Sequence, residues 1–222
     1  MKKFLSLLIC ASVLLGTSAC GTKTHTPETN KEDIKTEQPA KNDSENDTQK
    51  TENSKLYQDA IGITIELENG GVMKGELYPN LAPKTVDNFV KLVKDNFYDG
   101  LIFHRVIEGF MIQGGGYDAD MTPKEAETIV GEFTQNGFEN NLKHTKGVLS
   151  MARTPDPNSA SSQFFIMHAD APHLDGAYAA FGRVTEGLEF VDEIATVKTG
   201  TNDYGMSDVP VEPIIIKTIK IN

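Results

Sequence analysis

The chain has 222 residues, enough for one ordinary domain with extensions, and only 38% of them are hydrophobic, which is low for a chain that is globular throughout. Its formal charge is −11, from 21 basic and 32 acidic residues, which excludes the positive footprint that a nucleic-acid partner requires. Both cysteines, Cys10 and Cys20, fall in the first twenty residues, so the remainder can hold no disulfide, thiol nucleophile or thiolate metal site.

Residues 1–19 read as a signal peptide. Lys2 and Lys3 give a positive start, and Phe4 to Leu15 is an apolar run broken only by Ser6 and Ser12. Such a run is shorter than the roughly 20 residues that span a bilayer, and it fits a signal-peptide core. Gly16-Thr17-Ser18-Ala19 then leads into Cys20-Gly21. This resembles a bacterial lipoprotein signal, in which Cys20 becomes the lipidated first residue. Thr17 stands where an aliphatic residue is usual, and Thr17-Ser18-Ala19 also suits ordinary cleavage. Anchoring to the bacterial cell membrane through a lipidated Cys20 and plain secretion both remain open, and an uncleaved segment is the third possibility. Cleavage before Cys20 removes Lys2 and Lys3 and leaves 19 basic against 32 acidic residues, a balance of −13.

Residues 20–56 are the lipidated cysteine and a disordered tether. From Gly21 to Lys55 the one large apolar residue is Ile34, and there is no aromatic. Such a stretch cannot bury enough surface to offset chain entropy. A flexible coil of this length spans roughly 30–35 Å, enough to hold a domain clear of a membrane.

Residues 57–222 are predicted to form the domain. Ile61, Ile63, Ile65 and Leu67 alternate with small or polar residues, as in a half-buried strand. Asn69-Gly70 signals a tight turn, and Val72 to Tyr78 returns as a second strand. Pro83 opens a helix running to about Asn96, with Val86, Phe89, Val90, Val93 and Phe97 on one stripe. Short apolar runs follow at Ile102–Ile107, Phe110–Gln113, Gly147–Ala152, Phe164–Met167 and Ala179–Val184. A second helix fits Leu188–Val197, and Ile214–Ile221 is a β-branched closing strand. Many short strands with two helices point to a mainly β domain, an antiparallel barrel capped by helices.

Familiar catalytic motifs are missing. Gln113-Gly114-Gly115-Gly116 lacks the spacing and lysine of a phosphate-binding loop. His25, His104, His144, His168 and His173 stand at no metal-ligand spacing, so no metal and no other cofactor is expected. Ser150, Ser161 and Ser162 sit in no nucleophile elbow. What stands out is one arginine and one glutamine among large apolar side chains, in Phe103-His104-Arg105-Val106-Ile107-Glu108-Gly109-Phe110-Met111-Ile112-Gln113-Gly114-Gly115. Gly147 to Arg153 and Ser162-Gln163-Phe164-Phe165-Ile166-Met167 continue the pattern. Spacing alone favours reading Arg105 as a strand cation with a surface carboxylate partner, and Gln113 and Gln163 as edge residues.

These segments resemble the cyclophilin signature, over roughly Gly62 to Ile221, and Phe181-Gly182-Arg183-Val184 adds a third match. The resemblance implies a closed antiparallel eight-stranded barrel capped by two α-helices, and peptidyl-prolyl cis-trans isomerase activity. It implies Arg105 as the catalytic arginine, a proline pocket of Phe110, Met111, Phe165 and Leu174, and Gln113 holding the substrate backbone. Ala152 and Gln163 also fall on site positions of the family. Three site positions differ from the best-known eukaryotic members: Arg153 replaces Asn, His173 replaces Trp, and Tyr178 replaces His. The family's cyclic-peptide inhibitor cyclosporin is expected to bind weakly, because its tight binding is associated with that Trp. The expected partners are proline-containing polypeptides, exported proteins among them, and a membrane met through the lipid anchor.

The reaction suits these residues. Amide resonance sets a rotation barrier of about 18–20 kcal/mol, and X-Pro bonds exchange their isomers over tens to hundreds of seconds. Catalysis needs a group that favours the twisted amide, whose nitrogen lone pair is freed. A guanidinium donates hydrogen bonds there without trading a proton. A non-catalytic proline-binding module on the same fold, or a structural surface protein, would lack the need for Arg105.

Overall fold

The computed structural model describes residues 57–222. The signal segment, Cys20 and the tether lie outside the described residues.

The first strand, β1 (Ile61–Leu67), puts Ile63, Ile65 and Leu67 inward, as the alternation predicts. It turns at Asn69-Gly70, where Gly70 takes φ +93° and the Asn69 side chain accepts the Gly71 N–H at 3.0 Å. β2 (Val72–Leu77) returns beside it. Helix α1 (Pro83–Lys94) starts on its proline and buries Val86, Phe89 and Val93. It stops two residues short of the expected end, because Asn96 adopts the left-handed conformation at φ 52° that closes helices.

Then come β3 (Leu101–Ile107), β4 (Met111–Asp118), β5 (Val148–Met151), β6 (Phe164–Met167) and β7 (Ala180–Glu186). Helix α2 (Leu188–Ala195) buries Val191, Ile194 and Ala195. A two-stranded ribbon, β8 (Thr199–Gly200) with β9 (Val209–Pro210), precedes the last strand, β10 (Ile216–Ile221). The ribbon has no signature in the sequence, because its strands are two residues each, too short to carry a periodicity. β4 runs five residues past the expected Gln113, because the glycines after it are strand residues in close quarters. A Cβ on Gly114 would meet the Ile102 carbonyl oxygen at 2.8 Å, and one on Gly116 the Gln163 side chain at 2.6 Å.

The eight long strands form one antiparallel sheet in the order β10-β1-β2-β7-β5-β6-β4-β3. Its two ends meet. Ile102 bridges Ile215, the Gly100 N–H donates to the Ile216 carbonyl at 2.9 Å, and the Phe103 N–H donates to the Ile214 carbonyl at 3.0 Å. The sheet thus nearly closes into the expected barrel, and the two helices cap it.

Two apolar clusters result. One fills the barrel, with Ile63, Phe89, Phe103, Val106, Ile112, Phe164 and Phe181 among its members. The other lies on the outer face of the strands and includes Met111, Phe165, Met167 and Leu174. The site is built on this second cluster.

Candidate functional site

A cross-strand row organises the outer face. Arg105 on β3 stands opposite Gln113 on β4, Gln113 opposite Phe165 on β6, and Phe165 opposite Ser150 on β5. Arg105 reaches this face through a β-bulge. Two steps on β3, from Phe103 to Arg105, match one step on β4, from Gly114 to Gln113. Phe103 and Val106 both belong to the barrel interior. The extra residue turns Arg105 outward between them, the re-aiming that bulges provide.

The row floors a cleft of about 160 Å³, comparable to an engineered cavity of about 150 Å³ that holds a benzene-sized ring. Its apolar walls are Phe110, Met111, Phe165 and Leu174, and its polar members are Arg105 and Gln113. Ala152, Arg153 and Tyr178 complete the lining. Gln163 sits in an adjoining depression, with Ala152, Thr154 and Ser161. Met111, Phe165 and Leu174 are buried, whereas the Arg105 side chain keeps 40% of its surface exposed. That places a half-solvated cation beside an apolar hollow.

The predicted residues therefore come together, ten of them in or against one cleft. The eleventh, His173, is exposed on the rim. It follows Pro172 in a short 3-10 turn that aims Leu174 inward, and its ring stacks on Phe110 at 5.7 Å. Arg153 engages its surroundings through its side chain. Its guanidinium donates to the Ala177 carbonyl at 2.8 and 3.1 Å and lies over the rings of Phe133 and Tyr178, at 4.9 and 4.6 Å. Tyr178 in turn meets Phe165 edge-on at 5.8 Å. Arg153 thus braces one wall of the cleft.

Several supports were not singled out from the sequence. The Gln113 amide donates to Gln163 Oε1 at 2.9 Å and lies 3.5 Å from His104 Nε2. Burial pushes the His104 ring down to about 4, so it is neutral at neutral pH. It is held edge-on by Tyr117 at 4.8 Å. The Gly109 N–H donates to His168 Nδ1 at 2.8 Å, and the Phe110 carbonyl accepts the His168 N–H at 2.9 Å, which fixes the turn that presents Phe110.

Behind Phe165 lies a chain with the order of a nucleophile triad. Ser150 Oγ is 3.0 Å from His144 Nε2, and His144 Nδ1 is 3.2 Å from Asp175 Oδ1. Burial lowers the His144 pKa despite the Asp175 carboxylate. Burial works to raise Asp175, but hydrogen bonds from His144 and Lys143 outweigh it and hold the carboxyl below its ordinary range. A neutral ring therefore donates from Nδ1 to the carboxylate and accepts the serine hydroxyl at Nε2. Ser150 has no exposed surface, so no substrate reaches it. The chain is a support: the His144 ring stacks on Phe165 at 6.1 Å.

The comparisons agree with this geometry. Residues 62–221 match the family model described as cyclophilin type peptidyl-prolyl cis-trans isomerase/CLD. A peptidyl-prolyl cis-trans isomerase of Acinetobacter baylyi is 46% identical over 159 residues, covering 69% of this chain and 81% of the relative. Peptidyl-prolyl cis-trans isomerase B of Escherichia coli is 38% identical over 169 residues, covering 72% and 99%. A solved cyclophilin type peptidyl-prolyl cis-trans isomerase from Cryptosporidium parvum superposes with a TM-score of 0.63 at 33% identity, covering 73% of this chain and 98% of that one. The same parasite protein has also been solved in the presence of the dipeptide Ala-Pro. With the family model spanning the whole barrel and these relatives matched over most of their length, the chain belongs to the cyclophilin-type peptidyl-prolyl cis-trans isomerases, and it is an enzyme of that class.

Proposed function

We propose that the cleft seats the proline ring of a client on Phe110, Met111, Phe165 and Leu174, and that Arg105 stabilises the twisted X-Pro amide. The observation that carries this reading is the placement of the Arg105 guanidinium at the edge of an apolar hollow of ring size, one strand from Gln113. The ring is gripped where water is excluded, which strengthens the arginine's pull on the freed nitrogen lone pair. Because the planar forms offer no such lone pair, the contact favours the transition state over both ground states. Gln113, Gln163 and Ala152 hold the peptide backbone along the adjoining depression, and Arg153, His173 and Tyr178 shape the rim. Cyclosporin binds weakly to such a rim.

The compartment belongs to the same proposal. Residues 1–19 direct export, Cys20 is lipidated, residues 20–56 tether, and residues 57–222 form the catalytic domain, which assists the folding of exported proteins outside the cytoplasm. Simple secretion is the alternative that the small residues before Cys20 allow.

The test is a peptide isomerisation assay on Arg105→Ala and Arg105→Lys. Arg105→Ala should lose most of its activity while keeping its thermal midpoint, since a half-exposed side chain contributes little core volume. Arg105→Lys should also be poor, because a point charge does not reproduce the guanidinium fork. The unaltered enzyme should hold a flat rate from neutral to mildly alkaline pH. A folded Arg105→Ala protein with near-normal activity would falsify the assignment.

A further inference from the structure

Arg105 has a neighbour that the motifs did not mark. The Asp208 carboxylate lies 3.7 Å from Arg105 Nε, and both side chains are 40% exposed. The Asp208 carbonyl accepts the N–H of Val106, the residue after Arg105, at 2.8 Å. Asp208 also directly precedes β9, whose Val209 is buried. The carboxylate is therefore anchored through the backbone to the strand that carries the arginine.

Its conformation adds a second observation. Asp208 has φ +63°, the left-handed region that glycine adopts most easily. The turn alone would be better served by glycine. The position instead carries a side chain, and that side chain lies beside the Arg105 guanidinium. A strained residue beside a reacting group invites a functional reading.

We propose that Asp208 is a positioning residue for Arg105, fixing the guanidinium across the mouth of the cleft through its Nε edge. At 3.7 Å the contact is an ion pair beyond hydrogen-bond length, so it orients by charge. The two terminal nitrogens have no protein partner among the described residues and remain the donors for the substrate. Exposed pairs of this kind add little to stability, so the effect of Asp208 falls on the rate. The proposal rests on Arg105 as the catalytic group.

The experiment uses the full chain and two variants. Asp208→Asn keeps the shape, tolerates the left-handed backbone and removes the charge. Asp208→Gly removes the side chain and relieves the backbone. Each should lower kcat about three- to tenfold, the scale of a modest misplacement of a catalytic group. KM for an X-Pro peptide should stay within about twofold. The thermal midpoint should not fall, and the nitrogen resonance of Arg105 Nε should move. In the Arg105→Ala background neither change should cost anything further, because partners acting as one unit are not additive. Unchanged or raised kcat in both variants, a loss confined to KM, or full additivity in the double variants overturns the Asp208 assignment while Arg105 stands. Near-normal activity of Arg105→Ala overturns the arginine reading beneath it.

Discussion

Phe103 and Val106 both face the barrel interior although they are three positions apart, so β3 has to absorb an odd step, and it does so at the bulge before Arg105. A strict two-residue period would have put Arg105 on the same side as Phe103, inside the barrel, where a lone guanidinium would be very costly. The sequence pattern marks the arginine as unusual, but the bulge explains how it escapes burial. On the proposed reading, a different residue-scale feature would separate substrates from inhibitors. His173 lies on the rim, stacked on Phe110, while Leu174 points into the cleft. A large apolar ligand must cover the rim, whereas a proline ring needs only the floor. An imidazole offers less apolar surface than an indole, and losing about 60–100 Å² of contact at ~25 cal/mol per Å² costs roughly 1.5–2.5 kcal/mol. Cyclosporin should therefore bind roughly ten- to seventyfold more weakly here than to a variant with an indole in place. His173→Trp should gain that affinity with little change in kcat/KM, because position 173 is exposed and carries no core packing. Inhibition curves of both forms in one peptide assay decide it. Nanomolar inhibition of the natural sequence, or no gain in the variant, rejects this reading of the position.

Helix α1 depends on a residue far from it in sequence. Its N-cap, Ala82, has no side-chain acceptor. The orphan donors are met by Glu132, whose buried carboxylate accepts the Lys84 N–H at 3.0 Å and both the Thr85 N–H and hydroxyl at 2.8 Å. A negative charge at a helix N-terminus is favourable in itself. Glu132→Ala leaves these donors buried without acceptors and should destabilise the domain by about 2–4 kcal/mol, while Glu132→Gln should cost less. Urea unfolding at constant slope measures it, and a midpoint unchanged in Glu132→Ala would show that water replaces the cap. The contrast explains what could be read beforehand. The elements whose signals are local, such as the alternation of β1, the Asn69-Gly70 turn and the Pro83 start, stand where expected. The motif residues of the cleft also line one hollow. Glu132, forty-seven residues from Thr85, has no local signature. Neither do Asp208 beside Arg105 nor the link between His144 and Asp175. Each is an ordinary polar residue whose partner is chosen by the tertiary fold.

At the scale of the whole molecule the architecture separates work from support. The barrel interior is a packed core, and the cleft uses the outer face of β3, β4 and β6 together with the loop carrying Leu174, so a client chain can cross the surface without entering the barrel. Among the described residues no helix is long and apolar enough to cross a membrane. The proposed mature chain carries a balance of −13, since 19 basic residues face 32 acidic ones once Lys2 and Lys3 are removed. Anionic lipid headgroups repel such a charge, so electrostatic adsorption is not available as a means of membrane attachment. If the protein is held at a membrane through the proposed modification of Cys20, the hold needs more than one acyl chain, since a single chain gives marginal binding. This sets a specific pattern of results in a bacterial host. The natural protein should sediment with membranes and resist a high-salt wash, and detergent should release it. Cys20→Ala should move it out of the washed membrane fraction while leaving its kcat/KM unchanged, because the cleft is built within residues 105–178. A natural protein released by salt points to adsorption, and one found free in the medium supports secretion. A Cys20→Ala protein that stays on the membrane after its signal has been removed rejects the lipid anchor.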